Sequence, residues 1–147
     1  MKITLIAIGK LKEKYLADAV NEYLKRLKPY ANVEIIEIPE CRTVDEEGEK
    51  LMLRIPADSW KCVLDVHGDL MSSEDLAKVL ADLALTGQSR LTFVIGGAFG
   101  ISQKLREAAT LRLSLSIMTF THQMTRLILL EQIYRSFKIN RGEPYHL

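Results

Sequence analysis

Cysteine is scarce: Cys41 and Cys62 are the only two in 147 residues. They form neither a CxxC pair nor a metal-ligand spacing. A disulfide framework is thereby excluded, and a reducing, cytoplasmic compartment is expected. Other metal signatures are missing as well, since no HxxxH, HExxH or Cys/His cluster occurs, and no metal is expected. The serine-hydrolase elbow GxSxG is absent too. No apolar run reaches the ~20 residues that a membrane-spanning helix requires. Lys2 and the apolar residues 3–8 imitate the front of a signal peptide, but the run is short and meets Lys10, Lys12 and Lys14 without a small-residue cleavage site. No membrane association is expected. Prolines number only four, and no internal repeat or Pro/Gly/Ser-rich linker interrupts the chain, so residues 1–147 read as one domain able to bury its own core.

Charge of one sign is lacking overall, with a net value of +1. Its distribution is uneven. Residues 1–100 carry 13 Lys and Arg against 16 Asp and Glu, whereas residues 101–147 carry 7 against 3. A cationic last third favours an anionic partner there; a solvated helix face would give the same count.

Strand-like and helix-like patterns alternate along the chain. A β-branched run at 2–8 reads as a buried strand closed by Gly9. Leu16, Val20, Tyr23 and Leu27 mark a helix over 12–28 that ends before Pro29. Residues 32–38 alternate as a second strand, and 40–55 read as a helix weakened by Gly48. WKCVLDV at 60–66 is a third strand with a turn at 67–69. Ser72 and Asp75 form a capping-box pattern that opens a helix over 73–85. Residues 91–95 are a fourth, fully apolar strand leading into Gly96-Gly97-Ala98-Phe99-Gly100. Ser102 then caps a short helix to about Ala109. A fifth strand is expected at 113–118, a tight connection at 119–122, and a long last helix. Such alternation predicts an α/β domain with a largely parallel sheet covered by helices on both faces.

That last helix is apolar on more than one side. Leu127, Leu130, Tyr134 and Phe137 form one stripe, and Ile128, Leu129, Ile133 and Ile139 widen it. Cover by the sheet on one side and by a second copy of the chain on the other is expected. Polar groups gather at its ends: His122 and Arg126 one turn apart, then Arg135, Lys138 and Arg141. Tyr145 and His146 follow the stop at Gly142 and Pro144.

Ligands of parallel sheets collect beyond the carboxyl ends of the strands. Three such ends stand out: 64–68 (LDVHG), the glycine loop 96–100, and 116–122. The glycine loop lets backbone amides approach a ligand, but it is neither a Walker A nor a GxGxxG on the first strand. A structural tight turn fits it equally well. His122 beside Arg126 offers directed donors to an oxygen or phosphate, whereas His67 reads as a turn residue. The acidic group Asp45-Glu46-Glu47-Glu49 reads as a solvated helix start.

The opening MKITLIAIGKLKEKY, the LDVHG and IGGAFG loops, and the closing HQMTRLILLEQIYRSFKINRGEPYHL together resemble the RlmH family. Its members are SPOUT-class methyltransferases that use S-adenosylmethionine to modify the RNA of the large ribosomal subunit. The resemblance spans nearly the whole chain. It implies a homodimer, a C-terminal trefoil knot that holds the cofactor, and methylation at N3 of a pseudouridine in helix 69 of 23S rRNA. By position it implies cofactor contacts at Leu64, Gly96, Leu115, Ser116, Ile117, Met118, Thr119 and Phe120. It implies further that His122, Arg126, Tyr145 and His146 face the RNA and the reaction. In the chemistry expected there, His146 assists loss of the N3 proton, Tyr145 orients the base and Arg126 holds a phosphate or uracil oxygen; electrostatic stabilisation of the anion with no side-chain base is the alternative. Thr121 stands where the family commonly has a proline, and the segment 39–60 is shorter than in many relatives. Rival readings are a non-catalytic RNA- or ribosome-binding factor, a small nucleotide- or phosphate-binding α/β enzyme that uses the glycine loop, and a structural dimerisation domain, which would have no use for the polar ends of the last helix.

Overall fold

Strands and helices alternate in the order that the periodicity predicts. The computed structural model describes residues 1–146. Its elements are β1 (Lys2–Ile8), α1 (Lys14–Leu27), β2 (Asn32–Ile38), α2 (Val44–Arg54), β3 (Trp60–Leu70), α3 (Ser73–Leu85), β4 (Arg90–Ile95), α4 (Gln103–Ala108), β5 (Leu111–Ser114) and α5 (His122–Asn140). The strands form one sheet in the order β2-β1-β4-β3-β5, and every pairing is parallel.

Position in the sheet explains strand composition. Central β1 and β4 are covered on both faces and are almost continuously apolar, as buried parallel strands must be. Edge β2 instead exposes Glu34 and Glu37. Ile3, Leu5 and Ala7 of β1 join Phe93, Val20, Leu80, Leu129 and Ile133 in a core beneath α1, α3 and α5. Ile6 and Ile8 point the other way and meet Val63, Val94, Leu51 and Leu105 beneath α2 and α4. On that second face Gly48 is a packing residue: a Cβ there would lie 2.1 Å from Ser102 Oγ. The glycine that weakens α2 in isolation lets α4 approach.

Three boundaries depart from expectation by about one helical turn, and each is set by a side-chain bond to nearby backbone. The third strand does not stop at Val66. It resumes after a bulge, because Leu113 pairs with both Leu64 and Asp69. Asp65 Oδ1 accepts from the backbone of His67 at 3.0 Å, which turns residues 65–68 out of the sheet. The fifth strand, expected at 113–118, ends at Ser114. There Ser114 Oγ donates to Ser116 O and Ser116 Oγ accepts from Met118 N, so 115–121 leaves the sheet as a loop. The helix expected at 40–55 begins only at Val44, where Thr43 Oγ1 accepts from Glu46 N.

The last helix packs on α1, α3 and the sheet. Its buried set is Leu129, Leu130, Ile133 and Tyr134, with Arg126 and Ser136. Leu127 and Phe137 are only half-buried, so the stripe is centred differently from the expected one. Thr121 is its N-cap, with Oγ1 accepting from Met124 N at 3.2 Å. Among the described residues no helix is long and apolar enough to cross a membrane.

Candidate active site

Beyond the carboxyl ends of the adjacent strands β4, β3 and β5 lies a cavity of about 400 Å³, the size of a small-molecule site. Each wall comes from a strand that stops or bulges there. From β4 the chain enters the glycine loop, where Gly100 adopts φ +86° and donates its amide to Gly97 O at 3.1 Å. A Cβ on Gly96 would meet Gly100 O at 2.5 Å, so this close turn requires glycine. The loop is thus both tight turn and cavity wall. From β3 come Leu64, Asp65, Val66 and His67, and from β5 come Ser114, Leu115 and Ser116. Met118, Thr119, Phe120, His122 and Thr125 complete the enclosure.

The structure therefore brings together Leu64, Gly96, Leu115, Ser116, Met118, Thr119, Phe120 and His122 around one space. Ile117 is the exception, at 81% exposure and outside the lining. Exposed apolar groups crowd the rim: Phe99 is 68% exposed and Met118 73%.

Arg126 does not face the cavity. It is fully buried, with Nη1 donating to Glu37 Oε2 at 2.6 Å and Nη2 to Gly9 O at 3.2 Å. Glu37 Oε2 also accepts from Leu11 N, and Gln123 Oε1 accepts from Lys12 N. These bonds lash the first turn of α5 to the loop after β1. His122 packs against Gly9, where an added Cβ would lie 2.8 Å from Cε1. Burial first, and then the Arg126 charge, hold its pKa below the ordinary 6.5, so the imidazole is neutral at pH 7. Glu47, expected on a solvated helix start, is buried against Gly97 instead. Its Oε2 accepts from Cys41 N.

Tyr145 and His146 dock on the other half of α5. The Tyr145 ring meets Tyr134 edge-on at 4.9 Å, and its hydroxyl donates to Glu131 Oε1 at 3.0 Å. Burial first, and then the Tyr23 hydroxyl at 3.3 Å and Glu131, raise its pKa, so it stays a phenol. Arg135 Nη1 lies 2.9 Å from His146 Nδ1, and His146 Nε2 lies 2.6 Å from Glu74 Oε1. A guanidinium can only donate, so Nδ1 accepts and Nε2 carries the proton toward Glu74. Neither tail residue lines the cavity. Glu131, which Tyr145 touches, is about 13 Å along the helix axis from His122 at 1.5 Å per residue.

Sequence reasoning passed over several cavity residues. Asp65 lay inside a strand end already singled out, and an aspartate closing an apolar strand was a usable signal. Phe99 likewise lay inside the glycine loop already singled out, whereas Arg106 and Thr125 gave no signal, because only the fold brings them to the cavity.

The family model described as "Predicted SPOUT methyltransferase" matches residues 1–146. Among curated proteins, the ribosomal RNA large subunit methyltransferase H of Halothermothrix orenii is 50% identical, with 99% of each chain covered. That of Pelotomaculum thermopropionicum is 50% identical, with 98% of each covered. Among solved structures, a probable methylase family protein from Haemophilus influenzae superposes with TM-score 0.56 at 9% identity, covering 99% of this chain and 70% of that one. At such identity the likeness concerns the fold alone.

Proposed function

The chain belongs to the SPOUT methyltransferase family, and on that premise we propose that it is an rRNA methyltransferase acting on N3 of a pseudouridine in helix 69 of 23S rRNA. S-adenosylmethionine is the proposed donor, and the cytoplasm, where ribosomes work, the proposed location. The observation that carries this reading is the cavity at the ends of β4, β3 and β5. Its walls suit an adenosyl group: apolar Leu64, Leu115 and Phe120 beside the glycine turn at Gly96. When bound, the donor supplies an electrophilic methyl.

The chain itself has to orient the base, exclude water and accept the N3 proton. Orientation alone is worth roughly 7–11 kcal/mol of barrier. His122 is the proposed proton acceptor, because it faces the cavity and is neutral. Arg126 is the proposed positioning residue behind it, since its bonds to Glu37 and Gly9 O fix the helix turn that presents the imidazole.

A homodimer is part of the proposal. The exposed Phe99, Ile117 and Met118 beside the cavity form an apolar rim of the kind that a second copy covers. Tyr145 and His146 lie away from their own chain's cavity, so their part in the reaction is proposed across that interface.

Calorimetry with S-adenosylmethionine, followed by mapping of methylated nucleotides in large-subunit RNA treated with the protein, tests the whole reading. Saturable heat and a single methylated pseudouridine are expected. Ribosome binding without heat from the donor alone would instead identify a non-catalytic binding factor.

A further inference from the structure

Asp65 draws two guanidiniums toward itself. Its side chain is 3% exposed, and Oδ2 accepts from Arg106 Nε and from Arg112 Nη1, both at 3.3 Å. The two arginine side chains are 32% and 44% exposed. One cation would neutralise the carboxylate; the second is surplus. Both contacts are longer than the 2.7–2.9 Å usual for charge-assisted bonds. Among the described residues neither guanidinium has another side-chain acceptor, so most of their donors are unspent. Arg106 lines the cavity, as does His67, whose backbone amide fixes the other Asp65 oxygen.

We propose that Arg106, in the wall of the cavity, and Arg112, beside it on the same Asp65 oxygen, form an oxyanion seat held open by Asp65. A guanidinium fork suits two oxygens of one phosphate or carboxylate, and a buried carboxylate that orients two arginines lowers the entropic cost of seating an anion. Two sources share this chemistry: a phosphodiester of the RNA strand entering the site, and the carboxylate of the donor's amino-acid moiety. The exposure of both arginines favours the RNA. The seat rests on the methyltransferase reading, and the experiment separates the two.

The test compares wild type, the pair R106Q/R112Q and the charge-keeping pair R106K/R112K, each checked by thermal melting. Affinity for purified large ribosomal subunits is measured against KCl at fixed magnesium, and affinity for S-adenosylmethionine by calorimetry. With RNA as occupant, the Gln pair loses about tenfold in subunit affinity and its salt slope falls by about one. Donor affinity stays within about twofold, and the Lys pair recovers the slope. A tenfold loss of donor affinity at unchanged salt slope assigns the seat to the carboxylate. Both affinities unchanged overturns the seat and leaves the arginines as counter-charges for Asp65. Should the Gln pair melt early, Arg112→Gln alone keeps Arg106 beside Asp65 and is read by the same outcomes. Wild type that binds neither subunit nor donor sinks the functional reading itself.

Discussion

Arg126 and His122 sit one helical turn apart and have opposite relations to solvent and charge. The guanidinium is fully buried and bonded to Glu37 and Gly9 O. Arg126→Met removes both bonds, and because the Glu37 side chain is 38% exposed the stranded carboxylate is partly hydrated. A loss of about 2 kcal/mol is expected, below the 3–5 kcal/mol of a fully buried pair. An unchanged urea midpoint would show that the bonds contribute nothing net. For His122 the sign follows from its depressed native pKa. Below pH 6.5 the unfolded chain takes up a proton that the native imidazole refuses, so stability falls with pH until the native group also protonates. Above pH 6.5 the group contributes no pH dependence. Melting temperatures of wild type and His122→Gln should therefore run parallel above pH 7 and diverge below 6.5, with wild type falling faster. Parallel curves throughout would place the imidazole in free solvent.

At the scale of elements, α2 approaches α4 at Gly48 too closely for a side chain there. Gly48→Ala gains about 1 kcal/mol of helix propensity but drives a methyl into Ser102. Overpacking of about 1–3 kcal/mol should win. Ser102→Gly costs only a few tenths as a cap, so G48A/S102G should regain most of the loss in chemical denaturation. Elements whose signals are local were legible: β1 and β2 begin and end where their apolar runs do. The ends of β3 and β5 were not, because bonds from Asp65, Ser114 and Ser116 to nearby backbone override an apolar pattern that continues past them. The burial of Arg126 was hidden for another reason. An arginine one turn into a helix looks like a surface group, and its acceptor Glu37 lies on the far edge strand. The cavity was legible as three strand ends, since parallel topology alone says where ligands gather. The C-terminal knot follows only from family membership, because periodicity carries no information on threading.

The whole molecule sets the remaining expectations. If Tyr145 and His146 serve the cavity of a second copy, a chain defective in its tail and one defective in its glycine loop should complement each other. His146→Ala and Gly96→Val are each expected to be nearly inactive. An equal mixture, unfolded and refolded together, should recover about a quarter of wild-type activity, because half of the two-fold dimers then hold one intact site. No recovery would confine each tail to its own chain. The sheet order has a separate consequence for synthesis. β1 is translated well before β4 yet lies inside the sheet, with Lys2 opposite Arg90. Until β4 emerges from the translating ribosome, one hydrogen-bonding edge of the opening strand is bare, and a chain stalled before residue 90 should be digested readily where the finished one resists.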